Sequence, residues 1–89
     1  MNSNADWGLR VRERVYKDIA LLPREARERI SEVVENLPRN PYAGDVEKMK
    51  GEEHAWRRRI GNYRVSYEII LREKVIYVTR VKRRTTNTY

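Results

Sequence analysis

Three arginines stand at positions that one side of a two-stranded ribbon would share. Arg57 and Arg59 lie two apart in Ala55-Trp56-Arg57-Arg58-Arg59-Ile60, and Arg64 follows in Tyr63-Arg64-Val65. Side chains of an extended strand alternate, so Arg57 and Arg59 point one way while Trp56 and Ile60 point the other. In the next strand Tyr63, Val65, Tyr67 and Ile69 share a side, leaving Arg64, Ser66 and Glu68 opposite. A tight turn at Gly61-Asn62 brings Arg64 beside Arg57 and Arg59. An unpaired charge is costly to bury, so the three arginines belong on a face open to water. A further basic run, Lys82-Arg83-Arg84, follows the strand-like stretch Val75 to Val81. Guanidinium forks hold phosphate oxygens in pairs and keep their charge, so the chemistry on offer is binding of a polyanion. Nucleic acid or the ribosome is the expected ligand.

Charge placement along the chain agrees. Residues 1–45 hold eight Lys/Arg and eight Asp/Glu, whereas residues 46–89 hold twelve against five, so the whole net charge of +7 lies in the second half. Clustered excess of this kind steers anionic partners and supplies salt-dependent phosphate affinity. There is no cysteine and one histidine, His54, which excludes disulfides and thiolate metal sites and leaves no set for zinc. No metal or other cofactor is expected. Nor is there an apolar run of membrane-spanning length or a signal-peptide core, so a soluble cytoplasmic protein with no membrane contact is expected.

The elements that would position the arginines follow from periodicity. Trp7, Leu9 and Val11 alternate as a first strand. Val15, Ile19 and Leu22 then fall on one face of a short helix over Arg12 to Leu22. Pro23 closes that helix and opens a second, in which Ala26, Ile30, Val33 and Leu37 recur on one face before Pro38 ends it. Arg39 to Asp45 reads as a loop, and Val46 to Gly51 leads into the sheet. Strands follow over Ala55 to Ile60, Tyr63 to Leu71 and Val75 to Val81, with Arg72-Glu73-Lys74 as a turn and Lys82 to Tyr89 as a polar tail. The order predicts one α+β domain over residues 1–89. An N-terminal strand, a helical hairpin and a three-stranded antiparallel meander would form a four-stranded sheet with both helices on one face.

Several residues are given structural roles. Arg58 shares a side with Trp56 and Ile60, so it must sit at the sheet margin, snorkel, or find Glu52 or Glu53. His54 precedes its strand and is expected at a loop or edge. Glu68 is expected to pair with an arginine. Trp7 and Trp56 are expected to pack at core or edge, and Tyr63, Tyr67 and Tyr77 to belong to the core.

Lys48-Met49-Lys50-Gly51, then Trp56-Arg57-Arg58-Arg59-Ile60-Gly61-Asn62-Tyr63-Arg64-Val65, then Arg80-Val81-Lys82-Arg83 and the late Tyr89 together resemble the RelE/ParE superfamily of type II toxins, from Leu9 to Tyr89. The resemblance implies the RelE-like microbial RNase fold. RelE-type members cut mRNA in the ribosomal A site; ParE-type members share the fold and inhibit DNA gyrase without that nuclease set. Arg57, Arg59, Arg64, Arg83 and Tyr89 match basic or tyrosine positions of the RelE-type site, which favours the metal-independent endoribonuclease. A gyrase inhibitor and a non-catalytic RNA- or ribosome-binding module are the alternatives.

On that resemblance Arg64 and Arg83 would hold the scissile phosphate. Arg57 and Arg59 would orient the RNA backbone and share the charge stabilisation, and Tyr89 would stack on a base, align the 2′-OH or move a proton. Lys48, Lys50, Lys82 and Arg84 would add phosphate contacts. RelE has lysines where Arg57 and Arg59 stand, and arginine does not give up its proton, so a lysine-base mechanism does not transfer. The implied partners are a cognate antitoxin, through which the complex would bind operator DNA, and the 70S ribosome with its 16S rRNA and mRNA.

Overall fold

Alternation of apolar residues builds a sheet whose inner side both helices cover. The computed structural model describes residues 7–84. The chain runs β1 (Gly8–Val11), α1 (Glu13–Ala20), α2 (Arg24–Asn36), β2 (Val46–Lys48), β3 (Ala55–Ile60), β4 (Tyr63–Ile70) and β5 (Val75–Arg83). The sheet order is β1-β5-β4-β3-β2. β1 lies parallel to β5, and every other pairing is antiparallel.

The α+β architecture is as expected, with one strand more. β2 pairs with β3 through Val46–Arg58, Glu47–Arg57 and Lys48–Trp56. Three residues are too few to announce a strand by alternation, which needs about four or more. Val15, Ile30, Val34 and Leu37 from the helical side pack on Ile60, Val65, Tyr67, Ile69, Ile76, Val78 and Val81 from the sheet. Val34 rather than Val33 is the deeper of the two valines in α2.

The β3–β4 connection is the expected two-residue turn, closed by the Ile60–Tyr63 pair. Gly61 has φ of +58° and Asn62 does not take a positive φ, which matches the hairpin turn with glycine at its first central position. A bulge separates Ser66 from Tyr67 on β4: Ser66 pairs with Arg80, but Tyr67 pairs with Val78, leaving Thr79 as the extra residue. The Thr79 hydroxyl donates to the Ser66 carbonyl at 3.2 Å. The bulge reverses the alternation of β5. Ile76 and Val78 face the helices before it, and Val81 faces them after it.

Tyr67 is buried, and its hydroxyl donates to the Pro41 carbonyl at 2.7 Å, tying the loop after α2 to the core. Burial pushes the phenol up to about 12, opposed by the Arg58 guanidinium and aided by Tyr42. The unfolded phenol ionises near 10, so this contribution to stability is complete below pH 10 and lost as pH rises toward 12. Tyr67→Phe is expected to cost about 1–2 kcal/mol at neutral pH, because the Pro41 carbonyl loses its partner. It should also flatten the alkaline fall in stability, and urea melts at several pH values check both effects.

β1 pairs with β5 only as far as Val78, so the outer edge of β5 beyond that residue lacks a strand neighbour. Asp18 of α1 fills part of the gap. Its carboxylate accepts from the Val81 amide at 2.9 Å and from Arg80 Nε at 3.0 Å, and Arg14 lies 3.7 Å away. Its side chain is only 9% exposed. Asp18→Ala leaves a charged donor and an edge amide unpartnered, for which a loss of about 2–3 kcal/mol in chemical denaturation is expected.

Two expected placements need correction. Tyr77 lies opposite Glu68 on one side and Arg10 on the other, on the sheet's open face rather than in the core. Glu68 makes no ion pair among the described residues: it lies opposite Ala55, while Arg57 and Arg59 lie further along β3 and face Glu47 and Asp45. Of the places open to Arg58 it takes the sheet margin, opposite Val46 of the edge strand, with its guanidinium against Gly44 rather than paired with Glu52 or Glu53. A Cβ at Gly44 would fall 2.7 Å from Arg58 Cζ, and the φ of +86° there already favours glycine. Trp56 is at the core margin, its ring edge-on to Tyr42 with centroids 5.3 Å apart. Trp7 and Tyr63 also pack at the margin.

Candidate nucleic-acid interface

Strand register lines up the basic residues in rows across the open face. Arg59 is directly opposite Arg64, and Arg64 is directly opposite Lys82. The next row runs Glu47, Arg57, Ser66, Arg80. Like charges directly opposite one another destabilise a sheet, so this arrangement is selected against unless anions relieve it. Two carboxylates do so in part. Asp45 Oδ2 lies 2.9 Å from Arg59 Nε, and the Arg59 amide also donates to the Asp45 carbonyl at 2.9 Å. Glu47 Oε1 lies 3.5 Å from Arg57 Nη2.

These groups enclose a cleft of about 160 Å³ lined by Asp45, Glu47, Arg57, Arg59, Arg64 and Arg84. Arg64 has no ion pair among the described residues. Arg84 is anchored at the hairpin turn: its amide donates to the Asn62 carbonyl at 2.6 Å and its Nη1 to the Gly61 carbonyl at 3.3 Å. Its Nε is buried with no partner among the described residues. A phosphate oxygen entering the cleft would meet the free fork of Arg64.

The structure brings Arg57, Arg59 and Arg64 together, as the alternation of β3 and β4 implies. It sets Lys82 beside them in the Arg64 row. Arg83 is not brought into the cleft. It pairs with Tyr63, whose side chain is on the helix-facing side, and Arg84 occupies the place next to Arg64. The bulge at Ser66/Tyr67 is the cause: continuous alternation from Val78 would turn Lys82 and Arg84 inward and Arg83 outward. Lys48 pairs with Trp56 and so lies on the other side of β2 from Glu47, and Lys50 is exposed in the turn that follows. Neither lines the cleft. Tyr89 lies outside the described residues. His54 is exposed at the entry to β3, 3.6 Å from Glu53.

Asp45 and Glu47 are the cleft residues that sequence reasoning missed. The alternation of Val46-Glu47-Lys48 ahead of the arginine strand is too short to announce them. The set can therefore do more than bind. The guanidinium groups can neutralise a phosphate that gains charge, and a carboxylate can take a proton that an arginine cannot.

Comparison with known proteins agrees with this fold. Residues 9–88 match the profile of the ParE toxin family of type II toxin–antitoxin systems, parDE. The chain is 30% identical over 81 residues to RelE1 of Methanocaldococcus jannaschii, covering 88% of this chain and 90% of that one. The archaeal RelE–RelB complex from Pyrococcus horikoshii has a TM-score of 0.79 at 28% identity, covering 92% of this chain and 99% of that one. Isolated RelE toxin from E. coli shares the fold, with a TM-score of 0.75 at 20% identity over 91% of this chain and 87% of that one. An α+β toxin fold with a basic open face is thus the class of protein this is. The chain belongs to the ParE toxin family within the RelE/ParE superfamily, and it is the toxin of a type II toxin–antitoxin system.

Proposed function

We propose that this toxin is a ribosome-dependent mRNA endonuclease that cuts in the A site. The observation that carries the reading is the convergence of Arg57, Arg59, Arg64 and Arg84 with two carboxylates in one cleft. Gripping a polyanion would need only the cations. A proton acceptor among them is what metal-independent RNA cleavage requires in addition.

In this mechanism the ribose 2′-oxygen attacks the adjacent phosphorus and the bond to the 5′-oxygen breaks, leaving a 2′,3′-cyclic phosphate and a 5′-hydroxyl. Arg64 and Arg84 take the non-bridging oxygens, which gain charge in the phosphorane. Arg57 and Arg59 orient the backbone and share that stabilisation, and Lys82 contacts the neighbouring phosphate. Glu47 takes the 2′-OH proton; its hold on Arg57, at 3.5 Å, is looser than that of Asp45 on Arg59. Tyr89 stacks on a base or gives its proton to the 5′-oxygen. Arg83, Lys48 and Lys50 contact RNA outside the cleft.

The proposed setting is the cytoplasm, as a single domain over residues 1–89, with the 16S rRNA of the 70S ribosome helping to present the mRNA. No described helix is long and apolar enough to cross a membrane. RelB antitoxins accompany the toxins in the Pyrococcus and Methanococcus complexes. By analogy an acidic or amphipathic antitoxin would hold this chain inactive and carry operator binding. The match to a profile bearing the ParE name favours gyrase inhibition as the second reading. Primer extension on mRNA in programmed 70S ribosomes, beside the same mRNA free and beside Arg64→Ala, separates the two. Cuts at A-site codons that vanish in the variant support the nuclease. Growth arrest with no cut on either RNA points to gyrase.

A further inference from the structure

Asp45 occupies a cation of the open face. It is the carboxylate closest to the doubled cations of the Arg59–Arg64–Lys82 row, with Oδ2 2.9 Å from Arg59 Nε. It does not build the sheet. It precedes β2, its side chain is 59% exposed, and its backbone carbonyl rather than its carboxylate receives the Arg59 amide. A surface ion pair of this exposure is weak and readily exchanged, because both groups are well solvated. One oxygen of a carboxylate on an arginine also has the same chemistry as one oxygen of a phosphodiester.

Resting on the nuclease reading, we propose that Asp45 is a built-in competitor for the RNA backbone and so a specificity-determining residue. It occupies Arg59 in the free protein, and the phosphate of a bound strand displaces it. Four guanidinium groups and two carboxylates give the cleft a net charge near +2, against +3 without Asp45. Loose RNA, held by the cleft alone, therefore binds weakly. RNA presented by a second surface loses less, because other contacts offset the exchange. Asp45 thus favours strands delivered in place over strands met in solution.

The test is fluorescence anisotropy with a short 2′-O-methylated RNA, which cannot be cleaved, across about 0.05–0.2 M salt. Wild type, Asp45→Asn and Arg64→Ala are compared, each with a thermal melt. Asp45→Asn keeps the shape and the backbone bond to Arg59 and removes the charge. Its affinity is expected to rise about threefold at the low-salt end. Its log–log salt slope should steepen by about 0.7, since no carboxylate is left to regain a cation when RNA binds. Asp45→Ser is read the same way and guards against an effect of the amide itself. Arg64→Ala weakens binding throughout. Unchanged or weaker binding by both Asp45 variants, with Arg64→Ala still weakened, overturns the competitor role and makes Asp45 a prop for Arg59. Equal binding by wild type and Arg64→Ala overturns the RNA cleft itself.

Discussion

Arg64→Ala is expected to lower the single-turnover rate of A-site cleavage by about 10²–10³-fold, the loss typical when one preorganised donor to a developing anion is removed. The size follows from its position. It lies between Arg59 and Lys82 in the register and has no ion pair among the described residues, so its fork is free for the phosphate. Its removal should not unfold the protein. The side chain is on the open face, whereas the neighbouring Val65 and Tyr67 supply the core contacts of β4. Relief of the like-charge contact with Arg59 should leave the melting temperature unchanged or slightly raised. Arg64→Lys is expected to recover little of the rate, because an ammonium cannot hold two oxygens in one plane. A variant that cuts at the wild-type rate would remove Arg64 from the mechanism.

Glu47→Gln carries the second large effect, a fall in cleavage rate of about 10²–10⁴-fold, the usual contribution of a positioned general base. Glutamine keeps an oxygen for Arg57 but accepts no proton at working pH. The deciding readout is therefore the rate–pH profile. A general base gives the rate–pH profile an acid limb, because only its deprotonated form acts. That acid limb is expected to disappear in Glu47→Gln and to persist in Asp45→Asn. RNA binding by Glu47→Gln should not weaken, since the cleft loses a negative charge. An acid limb that survives in Glu47→Gln would move proton transfer to another group.

Much of this arrangement was legible in the amino-acid pattern, and the exceptions have local causes. The two helices, the Gly61-Asn62 turn and the shared face of Arg57, Arg59 and Arg64 each rest on a period or a turn signal long enough to read. β2 was not, because three residues carry too little alternation, and with it went Asp45 and Glu47. The exchange of Arg83 for Arg84 has a different origin. Thr79 is the extra residue of a bulge, and nothing in Val78-Thr79-Arg80-Val81 announces it by type. One uncounted residue turns every later side chain of β5 to the other face. Arg58 was legible as a misfit among apolar neighbours, but its refuge against Gly44 depends on a loop whose path only the folded chain defines.

The order of the strands in space differs from their order in synthesis. β5 is made after every other strand, yet it lies inside the sheet between β1 and β4, and the Gly8–Val75 pair joins residues from nearly opposite ends of the described chain. Until β5 emerges, β1 has no neighbour to pair with and the apolar sides of α1 and α2 have only part of their floor. Long-range pairing of this kind is slow and comes late. Arg84, anchored to the hairpin carbonyls, is later still. A growing chain on the ribosome therefore carries Arg57, Arg59 and Arg64 without an assembled cleft until β5 and Arg84 have emerged.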